Sequence, residues 1–299
     1  KMETANLKSL MHDPDYYTKS FHAYAKSSKK FAVLEKWGEN VFPKLIGDRL
    51  VDNLPADTNI NMLGIGSGSG EMDSAMAASL KARFKSVRNV VLEPAAKQLE
   101  KYRSLVKSNK SDFEGIEFDL RQLGIDEYRS QEGDKPRKYH FISAIHSIYY
   151  AEDHKDTIRY LYDCLEEGGI LLIIVVSVAG GFWRLWDRFT RFQDSVSRYL
   201  CTTHLRDSLS SLDIPFDESR QASRVDITSC FEEGSEDGEL IIDFLSHTVN
   251  LRGSASPELY QEVVDYMGSD QCSERKEDGT ILFNNDWDAV IAQKPLSKS

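Results

Sequence analysis

The chain has 299 residues, enough to bury a substantial core in one large domain or a domain with a lid. Its 37 basic and 48 acidic side chains leave a formal charge of −11, which argues against a nucleic-acid backbone as the main partner, because such partners select clustered Lys and Arg. No window reaches the roughly 18 to 20 unbroken apolar residues of a membrane span, and the opening "KMETANLKSLMHDPDYY" lacks the apolar centre of a signal peptide.

Residues 7–50 carry aromatic and apolar side chains at helical spacing, broken near Pro14 and Pro43, and predict two or three helices. "INMLGIG" reads as a buried strand and "EMDSAMAASLKARF" as a helix. Strand "NVVLEP", helix "AAKQLEKYRSLVKS", a strand near "GIEFDL" and a helix-prone stretch around "DEYRSQEGDKPRK" follow. Then come strand "YHFISAIHS", helix "HKDTIRYLYDCLEEGG" and strand "ILLIIVVSV". This alternation predicts a parallel sheet covered by helices on both faces. Beyond Gly181 lie an aromatic segment "FWRLWDRFTRF", helix "CTTHLRDSLSSL", a short strand "SRVDITS", helix "ELIIDFLSHTV" and one closing strand "TILFNNDWDAVIAQK". The acidic loop "EEGSEDGE" reads as solvated surface. Cys164, Cys201, Cys230 and Cys272 form no CxxC pair, so neither a metal site nor a disulfide framework is expected, and a reducing cytoplasm is the expected home.

The stretch "NINMLGIGSGSGEMD" sets Gly64, Gly66, Gly68 and Gly70 at alternate positions between a strand and a helix. Such a turn can bring bare backbone N–H groups and a positive helix end to a ligand, or it can simply turn. Glu93 favours the binding reading, because it ends the next strand, where nucleotide-binding folds place an acid on a ribose diol. A dinucleotide fingerprint does not fit, since the third glycine position is Glu71 counting from Gly66 and Ser69 counting from Gly64. A phosphate-binding P-loop does not fit either, because no Lys follows the glycines.

Gly66-x-Gly68-x-Gly70 followed by an acid resembles the first motif of the class I S-adenosylmethionine-dependent methyltransferases. With "LEPAAKQLEKY", "SIYYAED", "LLIIVVS", "WRLW", "CFEEGSEDGELIIDFL" and "LFNN" in order, the chain is similar over nearly its whole length to the histamine N-methyltransferase family. The resemblance implies a Rossmann-like class I methyltransferase fold with a mostly parallel central sheet, a monomeric state, S-adenosyl-L-methionine as cofactor, and one domain over residues 1–299. Within that domain it implies N-terminal helices to about residue 50 that contribute to the substrate pocket, a cofactor core over about 51–180, and a lid-like substrate region with the closing strands over about 181–299. It carries cofactor roles to Gly66, Glu93, Gln98 and Ile145, with Gly68 and Gly70 completing the glycine motif, and substrate roles to Tyr17, Phe21, Tyr149, Tyr150, Trp186, Phe244 and Asn285. Of the two neighbouring tryptophans, Trp183 is expected in the core and Trp186 at the pocket. Where the family has an acid and a glutamine against the substrate, this chain has Lys30 and His146; a pocket tryptophan is matched by Phe182, a cysteine by Ser197, and the polar residue near adenine by Ile125.

The activity so implied is methyl transfer to a nitrogen of a small imidazole or amine: histamine, or a carboxylate-bearing relative such as histidine or carnosine, which Lys30 would favour. Neither a metal nor an acid–base residue is needed, because a neutral imidazole nitrogen has its lone pair at physiological pH; Tyr149, Tyr150, Asn285 and His146 position the acceptor. The alternative is a non-catalytic protein of this family that binds the cofactor as a sensor or interaction surface.

Overall fold

The structure, a computed structural model, describes residues 7–192 and 199–297. Asp13 accepts the Tyr16 N–H at 3.1 Å and Pro14 fills the first helical position, where its missing donor costs nothing, so α1 runs over Pro14–Ser28. Lys29 takes a left-handed φ of 51°, which ends α1 and lets α2, Lys30–Asn40, leave in a new direction. Pro43 opens a π-helical turn, Pro43–Gly47, that continues into α3, Asp48–Asn53.

The alternating region follows as β1 (Asn59–Ile65), α4 (Glu71–Lys81), β2 (Ser86–Leu92), α5 (Ala96–Ser108), β3 (Ile116–Arg121), α6 (Ile125–Glu132), β4 (Tyr139–Ile145), α7 (His154–Asp163) and β5 (Leu165–Val176). The rest of the chain forms α8 (Gly181–Arg188), α9 (Thr202–Ser211), β6 (Asp217–Gln221), β7 (Arg224–Asp226), α10 (Glu236–Ser246), α11 (Leu251–Ser254), α12 (Pro257–Met267), β8 (Ser273–Arg275), β9 (Ile281–Asn284) and β10 (Trp287–Gln293).

Strands β3, β2, β1, β4 and β5 pair in parallel in that order, and β10 then β6 extend the same sheet to seven strands. The expected Rossmann-like class I arrangement, a mostly parallel sheet with helices on both sides, is the one found. Its central strands are apolar along most of their length, with Met62, Leu63, Val91, Phe141, Ile142 and Ile170 to Val175 all at most 1% exposed, because helix cover leaves no wet face. A second sheet holds β7, β9 and β8 in antiparallel pairing. By contact density the chain divides into two compact units, Lys1–Val33, Val176–Thr203 and Arg220–Asp288 in the first, Leu34–Val175, His204–Ser219 and Ala289–Ser299 in the second.

Two expected elements differ in extent. The helix expected through "CLEEGG" stops at Asp163, and Leu165 already pairs with Tyr139; Gly168 at φ 76° and a register shift let the extra residues bulge out before Ile170 meets Phe141. The single closing strand is two strands in two sheets, because Asn284 turns the chain by accepting the Asp286 N–H at 2.9 Å. Helices α11 and α12 and the short strands β6 and β8 have no counterpart among the expected elements.

The sheet order doubles back at β1, whose two neighbours are β2 and β4, and the C-terminal ends of β1 and β4 carry the glycine loop and His146. Three glycines of that loop have positive φ: Gly66 62°, Gly68 58° and Gly70 90°. A Cβ on Gly70 would come within 2.3 Å of the Tyr102 ring, whereas one on Gly68 would meet nothing within 4 Å. Tyr102 cannot retreat, since its hydroxyl donates to buried Asp73 at 2.5 Å and Asn89 donates to the same carboxylate oxygen at 2.6 Å. Gly70→Ala is therefore expected to lose more stability than Gly68→Ala, by about 1 to 3 kcal/mol of overpacking on top of their shared backbone strain. Urea unfolding of the two variants measures the difference, and equal losses would mean that the Tyr102 ring can move aside.

Candidate active site

In the second unit, the loop after β1 is tied back to β2: Leu92 O accepts the N–H groups of Gly66 at 2.8 Å and Ser67 at 3.3 Å. Glu93, the next residue, is buried at 7% exposure. Its Oε2 accepts the Gly68 N–H at 2.8 Å and its Oε1 accepts the Ala95 N–H at 2.8 Å. Each carboxylate oxygen keeps a further lone pair for another donor. Gln98 is half-buried in the first turn of α5, Ile125 is buried at the start of α6, and Ile145 is half-buried at the end of β4. Ser147 donates to Ile65 O at 2.6 Å and lies so close under Gly66 that a Cβ there would fall 2.5 Å from the Ser147 Cβ. Any side chain at Gly66 would therefore force the loop and Ser147 apart.

His146 takes φ 50°, uncommon for an L residue but more accessible to His, Asn and Asp than to most. Its N–H donates to Ile174 O at 2.9 Å, and its Nδ1 lies 3.3 Å from the Tyr149 hydroxyl with the two rings nearly parallel. Tyr149 is half-buried and Tyr150, 48% exposed, meets it edge-on at 6.4 Å.

The first unit gathers the other group. Tyr17, Phe21 and Tyr24 follow one another at helical spacing on one face of α1. The rings of Tyr17 and Phe21 lie 6.0 and 5.6 Å from that of Phe244 on α10, and all three side chains are half-buried. Tyr24, which the sequence reading left out, is buried and stacks on Phe244 at 4.3 Å. Its i, i+4, i+7 relation to Tyr17 and Phe21 was the available signal. Asn285 is buried, and its Nδ2 donates to Tyr24 at 2.9 Å and to Ser223 at 3.3 Å, which leaves its carbonyl oxygen as an acceptor. Burial pushes the Tyr24 hydroxyl above its ordinary pKa, so it stays protonated. Lys30 reaches over the Phe21 ring at 5.2 Å.

Phe182 is buried against Tyr24, Trp186 and Phe283. Trp186 is buried too: it stacks on Tyr199 at 4.4 Å and donates its indole N–H to Leu245 O at 2.9 Å. Trp183 is the half-buried member of the pair, the reverse of the expected burial, because Trp186 shares the inward face of α8 with Phe182 and Leu185. Ser197 lies outside the described residues. Among the described residues no cluster of His, Cys, Asp or Glu could hold a metal ion, and no helix is long and apolar enough to cross a membrane.

A family model described as a methyltransferase domain matches residues 37–212. Histamine N-methyltransferase A of Xenopus laevis is 32% identical over 295 residues, 97% of this chain and 99% of that one. The chain belongs to the histamine N-methyltransferase family. The histamine N-methyltransferase of Mus musculus is 30% identical over 294 residues, 96% of this chain and 98% of that one. Among solved structures, the YcgJ protein of Bacillus subtilis shares the fold with a TM-score of 0.53 at 13% identity, covering 83% of this chain and 97% of that one. The plantazolicin methyltransferase BpumL in complex with SAH does so with a TM-score of 0.50 at 14% identity, covering 95% and 92%. The protein is an S-adenosylmethionine-dependent N-methyltransferase, and S-adenosylmethionine is its cofactor.

The second unit's residues fit that cofactor: the loop after β1 is bare of side chains at Gly66 and open at Gly68, and the buried Glu93 has lone pairs for a ribose diol. Because Glu93 also holds Gly68 and Ala95 N–H groups, Glu93→Ala is expected to weaken S-adenosylhomocysteine binding by roughly 2 to 3 kcal/mol and to lose some stability as well. Calorimetric titration measures the first effect, and unchanged affinity would restrict Glu93 to a structural role.

Proposed function

We propose that this family member transfers the methyl group to a nitrogen of a small imidazole or amine, with Gly66, Gly68, Gly70, Glu93, Gln98, Ile125 and Ile145 holding the cofactor. The observation that carries the substrate class is the set of half-buried ring faces of Tyr17, Phe21 and Phe244, backed by Tyr24. Such faces suit a planar ring, and their π systems favour positive charge developing on it. Asn285 adds direction, since its carbonyl oxygen can accept the N–H of a neutral imidazole and so leave the lone pair on the other ring nitrogen.

When bound, S-adenosylmethionine supplies a methyl group already activated by its sulfonium charge. The protein's task is then to hold a neutral nitrogen in line at about 3 to 3.5 Å and to exclude water. His146 fixes the Tyr149 hydroxyl, and we assign both, with Tyr150, to positioning rather than to acid–base chemistry. Four buried cysteines with free thiols suit a reducing cytoplasm, where we place the enzyme acting as a monomer on its small-molecule substrate. An intact glycine loop, Glu93 and Asn285 leave the non-catalytic alternative without support.

Incubation with labelled S-adenosylmethionine and a panel of imidazoles and amines tests the reading, with NMR of the product locating the methyl group. Methylation at nitrogen of at least one imidazole is expected; transfer to oxygen or carbon alone would contradict it. Phe244→Ala is expected to raise KM for the methylated imidazole by about tenfold or more through the lost ring contact, with S-adenosylhomocysteine affinity changed by less than about twofold. Equal losses in both would place Phe244 in general packing.

A further inference from the structure

Among the described residues, the ammonium of Lys30 has no counter-charge. Lys29, in its left-handed conformation, ends α1 and starts α2 at Lys30, whose backbone N–H is held by the Ser28 hydroxyl at 3.1 Å. That turn sends the Lys30 side chain back over Phe21, one of the three half-buried rings, with Nζ 5.2 Å from the ring centroid. Among the described residues the ammonium makes no hydrogen bond and no ion pair.

The acids of α10 are engaged elsewhere. On α10, which packs along α1, Glu236 pairs with Lys19 at 2.8 Å, Asp237 with Lys26 at 4.0 Å and Glu239 with Arg252. Asp243 accepts from the Tyr16 hydroxyl and from the Leu251 N–H. On α1 itself, Asp13 and Asp15 sit at the opposite end of a 15-residue helix, roughly 20 Å away at 1.5 Å per residue. A half-buried positive charge that, among the described residues, faces an aromatic ring and no acid is a recognition element for an anion and a barrier to a cation.

We infer that Lys30 anchors a carboxylate of the substrate, so that the acceptor class is an imidazole with a carboxylate arm rather than one with an ammonium arm. The inference rests on the imidazole reading of the same aromatic faces and narrows it. Desolvation also lowers the Lys30 pKa to about 8, so the anchor is charged at neutral pH and titrates within reach of an assay.

Three ligands of matched shape test this: histamine, 4-propylimidazole and 3-(imidazol-4-yl)propionate, which carry ammonium, methyl and carboxylate at the end of equivalent arms. For the wild-type enzyme kcat/KM is expected to fall from propionate to propyl to histamine, with at least about tenfold between the extremes. Lys30→Met should flatten the series, Lys30→Glu should invert it, and Lys30→Arg should keep it. The propionate preference should be lost as pH rises through about 8, where Lys30 gives up its proton, and Lys30→Arg should carry it to higher pH. Methylation of 4-propylimidazole with histamine preferred, or with ratios that Lys30→Glu does not move, would overturn the carboxylate anchor alone. Failure to methylate any of the three by an enzyme that still binds S-adenosylhomocysteine would overturn the imidazole reading and the anchor with it.

Discussion

The carboxylate of Glu93 is the tie on which the cofactor end of the sheet depends. One oxygen holds the Gly68 N–H of the loop after β1 and the other holds the Ala95 N–H that leads into α5. Two segments that leave neighbouring strands are thereby fixed to one buried anion. The glycines follow from the same constraint: the loop turns back on Leu92 with positive φ at Gly66, Gly68 and Gly70, between Ser147 on one side and the Tyr102 ring on the other. Tyr102 is in turn locked by Asp73 and Asn89, whose burial raises the Asp73 pKa and makes its hydrogen bonds a condition of the fold. Backbone approach and acid placement are thus one structural solution.

The aromatic group of the first unit is of a different chemical kind. The first unit offers ring faces and a few directed polar atoms, the carbonyl of Asn285 and the ammonium of Lys30, and none of these has to move a proton in the transfer itself. That division suits methyl transfer from an activated donor to a neutral nitrogen, where holding and drying the acceptor contribute more than acid–base catalysis. In the reading we propose, selectivity rests on the charge carried by the arm of the acceptor, and Lys30 sets its sign.

Much of this was legible in the sequence because the deciding signals are local. The C-terminal halves of β1, β2 and β5 are apolar without alternation, as strands of a doubly covered parallel sheet are, and the glycine spacing without a following Lys excluded the dinucleotide and P-loop patterns while Glu93 one strand later favoured a ligand. Tertiary context decided what was missed. Leu165 joins β5 because Tyr139 offers it a partner across a bulge, although "CLEEGG" continues a helical period. Asn284 and Asn285 look alike in sequence, yet the first closes a turn and the second points to Tyr24. Trp183 and Trp186 are one turn apart, and only the partners of α8 determine which is buried. For Lys30 the residue type was visible, but its lack of a counter-charge among the described residues depends on where every acid of α10 spends its carboxylate.

A crystal structure of the complex with S-adenosylhomocysteine tests the central tie most directly. The expected result is a ribose whose two hydroxyls lie about 2.6 to 3.0 Å from the Glu93 carboxylate while Gly68 and Ala95 N–H groups remain bound to it. A nucleoside bound elsewhere, or one that displaces Glu93 from Gly68 and leaves its hydroxyls to other partners, would contradict that role.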